Sequence, residues 1–208
     1  NKSKAVYIPL GLDISEYKPQ LRELSIYADC GIQQSNFVML SVANLVPIKG
    51  IETAIEALHM CQDSNVHYVV VGGYEQKYYQ KLIELVATFK LESNVHFLGK
   101  KTDVRPYLAA CDLFVIPTLN EGRKEGQPMA PIEAMSSGRI LAGSRIPGVT
   151  DILVDFPELI FDAKNAEQLS LIIDNVKRIN KEDKDILEKK MRATVLKKYQ
   201  TKSSLASN

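Results

Sequence analysis

The chain has 208 residues, 45% of them hydrophobic and 25% charged, which is the composition of a soluble globular protein with one large or two small domains. Its 26 basic and 25 acidic side chains leave a net charge of +1, and this balance argues against a nucleic-acid-binding surface. No apolar run is long enough for a transmembrane helix and no signal peptide is recognisable. Because the first residue is Asn1 and not Met, we expect a piece of a longer, cytoplasmic protein.

The cysteines and histidines form no metal-binding or disulfide pattern. An odd number of widely separated cysteines predicts reduced, mostly buried thiols, and these are Cys30, Cys61 and Cys111. The histidines lack the His-x-x-x-His spacing of a helical metal site, and these are His59, His67 and His96. We therefore expect no bound metal and no cofactor.

Short apolar runs alternate with amphipathic stretches along the whole chain. The predicted strands are 6–10, 37–43, 66–71, 95–98, 113–116, 140–142 and 159–161. The predicted helices include 51–58, 78–89, 102–110, 169–176 and 182–199. Thr102 is the expected cap of one helix, and Asn165 with Gln168 is the expected cap of another. This alternation predicts one α/β domain with a Rossmann-like, doubly wound parallel sheet of about six strands and helices on both faces.

The strongest functional signal lies at 125–144, where Glu125 in a loop and Glu133 in a helix stand eight positions apart. Eight helical residues span about 12 Å, which is too far for a tight acid–base pair. A glycosidase, with two carboxyl groups about 5–9 Å apart, is disfavoured but stays open because the loop can bend. Two carboxylates that accept hydrogen bonds from hydroxyls along one extended ligand fit better. From spacing alone, two solvent-exposed charges remain a further interpretation.

Two features predict a diphosphate site at the edge where the parallel strands end. Lys49 and Gly50 precede a helix, so a mobile positive charge stands beside free amide groups, although a solvated lysine is the alternative. Pro128 fits the first position of the later helix, which leaves the amides of Met129 and Ala130 to face an anion. Neither a P-loop nor a Gly-x-Gly-x-x-Gly dinucleotide motif is present.

Five segments, in the same order, resemble one family. They are Val-Tyr-Ile-Pro-Leu-Gly-Leu-Asp at 6–13, Ser-Val-Ala-Asn-Leu-Val-Pro-Ile-Lys-Gly at 41–50, Val-His-Phe-Leu-Gly at 95–99, Cys-Asp-Leu-Phe-Val-Ile-Pro-Thr at 111–118, and Glu-Gly-Gln-Pro followed by Glu-Ala-Met and Gly at 125–138. They resemble the C-terminal, donor-binding domain of group 1 (family 4) retaining glycosyltransferases, which have the two-domain GT-B architecture. The resemblance covers nearly all of 1–208 and implies a single nucleotide-sugar-binding domain without its N-terminal acceptor domain.

The resemblance implies that Glu125 contacts the donor sugar together with the backbone of Gly126 and Gln127. Lys49 would neutralise the leaving diphosphate, with help from the amides at 129 and 130. The family retains anomeric configuration by front-side attack and needs no metal, so electrostatic stabilisation of the leaving group is the expected largest catalytic contribution.

For the nucleoside, the resemblance implies that Glu133 holds the ribose hydroxyls and that Lys101 and Asp103 border the base. Asn44 stands where the family has a phosphate-binding arginine, and the family's loop near Asp151 is altered. The Asp-x-Asp at 183–185 lies in a charged helix start, where a solvated surface is the expected interpretation.

The implied function is the donor-binding half of a retaining hexosyltransferase for polysaccharides or glycoconjugates, inactive in transfer when isolated. The expected partners are a nucleotide-sugar donor and, through the other domain, an acceptor saccharide or lipid-linked saccharide. The basic final helix has an apolar stripe, for which packing on this domain or on the missing one is expected, and peripheral contact with the inner face of a membrane is the alternative. The alternatives are a non-catalytic nucleotide-binding or scaffold domain, a GT-B nucleotide-sugar epimerase, and a phosphorylase.

Overall fold

A computed structural model describes residues 16–20, 25–119 and 129–203. The described strands are β1 Phe37–Val42, β2 Val66–Val71, β3 Val95–Phe97, β4 Leu113–Ile116, β5 Ile140–Ser144 and β6 Ile160–Phe161. They form one sheet in the order β3-β2-β1-β4-β5-β6, and every neighbouring pair is parallel. The predicted Rossmann-like sheet of about six strands is therefore confirmed. The predicted strand at 6–10 lies outside the described residues.

The described helices are α1 Ser25–Cys30, α2 Ile51–Cys61, α3 Gln76–Thr88, α4 Arg105–Ala110, α5 Met129–Ser136, α6 Val149–Ile152, α7 Ala166–Arg178 and α8 Lys181–Ser203, with 3₁₀ turns at Pro47–Lys49 and Pro157–Leu159. Strands β1 to β3 follow one another toward one edge of the sheet, and strands β4 to β6 follow one another toward the opposite edge. Right-handed crossovers then put α2 and α3 on one face and α4 and α5 on the other. Helix α7 packs against α2, and α8 packs against α5. Among the described helices, none combines the length and apolar character needed to cross a membrane.

Burial on both faces explains the apolar strands. Every residue of β2 is buried, as expected for a strand covered by helices on both sides. The predicted apolar face of α2 is confirmed, because Ile51, Ala54, Ile55 and Leu58 are at most 2% exposed. The sequence period therefore identified the side of α2 that meets the sheet.

The two predicted helix caps have different outcomes. The Asn165 side chain accepts a hydrogen bond from the Gln168 amide at 2.9 Å, so this cap is confirmed. The cap at Thr102 is wrong, because α4 begins three residues later and Asp103 accepts the Arg105 amide at 2.9 Å. A carboxylate two residues before the helix thus satisfies a donor that the threonine was expected to satisfy.

Candidate functional site

The direction of the strand order reverses between β1 and β4, whose carboxyl ends lie side by side. Ligands of doubly wound sheets bind beyond the strands at such a switch point. A small cleft of about 50 Å³ opens there, and its walls come from the ends of β1 and β4, from Lys49, and from Ala130 at the start of α5. The cleft therefore brings together two of the predicted phosphate-binding positions.

The conformation of Gly50 lets the turn that ends at Lys49 lie close to the residues that follow β4. Its φ of 62° is left-handed, and a Cβ there would lie 2.2 Å from the carbonyl oxygen of Pro117. The Leu119 amide also donates to the Ile48 carbonyl at 2.8 Å. The 3₁₀ turn that ends at Lys49 is thus held directly against the loop that leaves β4.

Buried hydroxyls anchor the strand ends beneath the cleft. Ser41 donates to the Val115 carbonyl at 2.6 Å and accepts from the Tyr68 hydroxyl at 2.8 Å. Ser144 donates to the Thr118 carbonyl. These bonds connect β1 to β4 and β4 to β5 beneath the cleft.

Helix α5 begins at the cleft, and its first residues, Met129 and Ala130, are half-buried. The next residue is Pro131, which has no N–H, so the free amide donors of this first turn come from residues 129 and 130. The prediction that Glu125, Gly126 and Gln127 contact the donor sugar falls outside the described residues and stays a prediction. The same holds for Pro128.

Asn44 follows β1 and is exposed at the edge of the sheet. Its carbonyl accepts the Val46 amide at 3.0 Å, and the described lining of the cleft does not include it. Close by, a Cβ on Gly72 would lie 2.0 Å from the Ala43 carbonyl oxygen, so the chain segments that follow β1 and β2 are in close contact. A neutral amide thus occupies the position where the resemblance leads us to expect a cation.

Glu133 lies in α5 one turn beyond the cleft and is half-buried. Burial raises the pKa of its carboxyl group, and a hydrogen bond with Tyr17 opposes that shift. Burial, followed by the charge of Glu133, raises the pKa of Tyr17 to about 12. The phenol of Tyr17 therefore stays protonated at neutral pH. The sequence did not identify Tyr17, because only tertiary contact brings it to Glu133.

The two predicted base-proximal residues have partners within the domain. Asp103 accepts from Arg105 Nε and Nη2, each at 2.8 Å, and this pairing holds the pKa of Asp103 below its usual range. Lys101 Nζ lies 3.7 Å from Asp29 Oδ2 and 5.6 Å from the centre of the Tyr107 ring. Arg105, which the sequence did not single out, thus joins this part of the edge.

Among the described residues, no group of three or more His, Cys, Asp or Glu side chains could hold a metal ion. The Asp-x-Asp sequence begins α8: Asp183 and Asn180 exchange hydrogen bonds of 2.9 and 2.8 Å, as in a helix cap. His67 Nδ1 and His96 Nε2 are 3.2 Å apart on neighbouring strands, and burial lowers the pKa of both rings. The three cysteines are free thiols.

The apolar stripe of α8 packs on its own domain. Met191 and Val195 are buried, and Met191 Sδ accepts the Leu141 amide of β5 at 3.3 Å. The expectation of packing is therefore confirmed, and the stripe that suggested membrane contact is not exposed.

Comparison with known proteins agrees with this fold. Residues 26–193, more than half of the chain, match the family described as "Glycosyl transferases group 1". An N,N'-diacetylbacillosaminyl-diphospho-undecaprenol alpha-1,3-N-acetylgalactosaminyltransferase from Campylobacter jejuni is 29% identical over 69% of this chain and 37% of its own length. The O-antigen biosynthesis glycosyltransferase WclY of Escherichia coli is 30% identical over 66% of this chain and 36% of its own length. The chain thus spans little more than a third of these relatives.

Solved structures share the fold. Anabaena HepE in complex with UDP and glucose superimposes with a TM-score of 0.80 and 23% identity over 95% of this chain and 55% of HepE. The C-terminal domain of LpcC, a group 1 family protein from Francisella tularensis, superimposes with a TM-score of 0.74 and 19% identity over 91% of this chain and 98% of that domain. The chain belongs to the group 1 glycosyl transferases.

Proposed function

We propose that the chain is the C-terminal, donor-binding domain of a retaining hexosyltransferase that uses a nucleotide-diphosphate sugar to build a polysaccharide or glycoconjugate. The observation that carries the proposal is the meeting of Lys49 and Ala130, at the start of α5, in the cleft at the switch point of the sheet, with Glu133 one turn further along α5. Family membership and the biosynthetic names of the curated relatives support it. The fit to the isolated C-terminal domain of LpcC supports the domain assignment.

The donor follows the axis of α5. Lys49 and the amides of Met129 and Ala130 neutralise the diphosphate, since a lysine and a helix start both favour anions. Glu133 lies about 4.5 Å beyond Ala130 along the helix axis and accepts the ribose hydroxyls. The base extends toward Asp103, beside the start of α4. The UDP complexes of HepE are consistent with a nucleotide-sugar donor.

In transfer, the negative charge that develops on the departing diphosphate is stabilised by Lys49 and the α5 amides, which are in place before the reaction. Glu125 holds the donor sugar, with the backbone of Gly126 and Gln127. The acceptor saccharide or lipid-linked saccharide binds on a second domain, and the whole enzyme contacts a membrane only peripherally. No metal takes part. The 208-residue chain alone binds a donor and does not transfer the sugar.

Calorimetric titration of the 208-residue chain with UDP, GDP and ADP tests this proposal. We expect one nucleotide to bind best, and Glu133→Gln and Lys49→Ala to weaken its binding by roughly tenfold each. The matched controls are Glu92→Gln and Lys181→Ala, two exposed positions at the amino end of the sheet, and both should bind as the wild type does. Equal binding by all five proteins, or no binding by a folded wild type, would contradict the proposal.

The second candidate is a non-catalytic nucleotide-binding or scaffold domain. Asn44 favours it, because the neutral amide removes one phosphate contact that the resemblance implies. Binding of a nucleotide without any transfer by a longer chain that includes the acceptor domain would support this candidate.

A further inference from the structure

We infer that the solvent-exposed side of α8 binds an anionic lipid surface. The inference rests on the proposed function and deepens it, because it names the surface that makes the peripheral contact with a membrane. The apolar stripe of α8 faces the domain, and the opposite side carries the exposed residues Ile186, Lys189, Lys190, Ala193 and Lys197, here called the lysine face. Their spacing of three or four residues aligns them along one side of the helix over about 17 Å.

The positive charge of α8 is concentrated in its second half. Residues 189–198 include five basic side chains and no acidic one. The acidic side chains of α8 all precede them, and the last of these, Glu188, is only 18% exposed, with Oε2 4.0 Å from Nη2 of the buried Arg139. In a chain whose net charge is +1, this half of the helix is therefore a local excess of positive charge.

Three of these five cations contact neutral groups of the domain. Arg192 Nη1 donates to the Tyr17 carbonyl at 2.9 Å, and Lys198 Nζ donates to the Asp151 carbonyl at 2.6 Å. Lys190 Nζ lies 4.9 Å from the centre of the Phe156 ring. Carbonyl groups and aromatic rings carry no net charge, so these contacts hold the side chains in place without cancelling their positive charge.

An apolar side chain on the same face favours a lipid surface over other polyanions. Ile186 is 57% exposed and lies one turn before Lys189 and Lys190. An anionic bilayer offers phosphates to the lysines and an acyl boundary to the isoleucine, whereas a nucleic-acid backbone offers only phosphates. The neighbouring segment 151–158 has three exposed acidic side chains, so the lipid contact is confined to α8 itself.

The direction of α8 keeps this contact away from the nucleotide. Near its start, Lys184 pairs with Asp112, which precedes β4. Near its end, Lys198 reaches Asp151 in α6, which follows β5. Helix α8 thus runs alongside the sheet from the amino ends of the strands to their carboxyl ends. A membrane bound to the lysine face would lie beside the domain and leave the carboxyl edge open for a donor.

Cosedimentation of the 208-residue chain with vesicles tests this inference. The wild type should bind mixed vesicles of phosphatidylglycerol and phosphatidylcholine, less strongly as salt is added, and should not bind phosphatidylcholine alone. One lysine near an anionic surface changes partitioning about fivefold, so the triple variant Lys189→Gln/Lys190→Gln/Lys197→Gln should lower it roughly one-hundredfold. Ile186→Ser should lower it about threefold to tenfold at every salt concentration.

The matched control Lys77→Gln/Lys90→Gln/Lys181→Gln removes the same charge from three exposed positions outside the lysine face and should bind the mixed vesicles as the wild type does. No binding of the wild type to mixed vesicles, or an equal loss in both triple variants, would overturn the inference. Wild-type binding by Ile186→Ser would also overturn it, because that result indicates adsorption to any polyanion.

UDP titration separates this inference from the proposed function. Both triple variants and Ile186→Ser should bind UDP with wild-type affinity, and a loss confined to the lysine-face variant would assign that face to the nucleotide site and overturn the inference. A folded wild type that fails to bind UDP contradicts the proposed function, whatever the vesicles show. Thermal melting confirms that each variant is folded.

Discussion

The ammonium group of Lys184 lies 2.6 Å from Asp112 Oδ1, and Asp112 Oδ2 accepts the Val38 amide at 2.9 Å. This buried carboxylate therefore connects α8 to the amino ends of β1 and β4. Its side chain is 6% exposed, whereas that of Lys184 is 21% exposed. A charge buried to this degree is costly without its partner.

Replacement of Lys184 by methionine should destabilise the domain, because it removes the ammonium group that lies 2.6 Å from the buried Asp112 carboxylate. We expect a loss of about 2 to 3 kcal/mol, somewhat below the usual cost for fully buried pairs, since Lys184 is partly solvated. Urea unfolding followed by circular dichroism measures this loss. Lys181→Met, in the same turn of α8 but exposed, is the control, and an equal effect of the two substitutions would contradict the role of the pair.

Gly50→Ala should damage both stability and nucleotide binding, because the new Cβ would collide with the Pro117 carbonyl. We expect a destabilisation of about 3 kcal/mol, made up of left-handed backbone strain and overpacking. Gly31→Ala is the matched control: its φ of 66° is similar, yet a Cβ there meets no atom within 4 Å. It should cost about 1 kcal/mol from strain alone. Equal unfolding energies for the two variants would contradict the close approach.

Much of the fold was predictable, because burial on both sides of the sheet selects continuous apolar strands and the 3.6-residue period marks the buried faces of α2 and α8. The tertiary contacts around the site could not be predicted from the sequence. Tyr17 and Glu133 are far apart in sequence, and neither lies in a local sequence pattern that predicts its proximity to the other. The periodic pattern of α8 likewise does not reveal that Lys184 pairs with Asp112. The α4 cap failed for a local reason, since Asp103 competes with Thr102 for the same helix start.

Glu133→Gln should stabilise the domain at neutral pH while it weakens nucleotide binding. Burial raises the pKa of Glu133 above its ordinary value of 4.5, so folding favours the protonated form. That contribution is fully present below pH 4.5 and is lost as the pH rises through the folded-state pKa. The stability difference between variant and wild type should therefore be near zero at low pH and grow as the pH rises. Unfolding energies measured across pH check this, and a variant less stable than the wild type at pH 7 would contradict it.

Asn44→Arg should strengthen nucleoside diphosphate binding, because it restores a cation at the exposed edge beside β1. One charge-assisted contact to a phosphate, partly screened by solvent, corresponds to roughly a fivefold gain in affinity. The gain should shrink as salt is added. Titration with UDP at two salt concentrations measures it, and an unchanged affinity at low salt would show that the phosphates do not lie near residue 44.

Hydrogen–deuterium exchange with and without UDP tests whether the nucleotide binds at the switch point of the sheet, because it reports which amides the ligand protects. A competing cleft of about 550 Å³ lies between α2 and α3, lined in part by Glu56, Lys81 and Thr88. We predict that UDP slows exchange of the non-proline amides at 44–50 and 129–133, around the switch point, and leaves α3 unchanged. Protection confined to the α2–α3 cleft, or no protection under saturating UDP, would show that the nucleotide does not bind at the switch point.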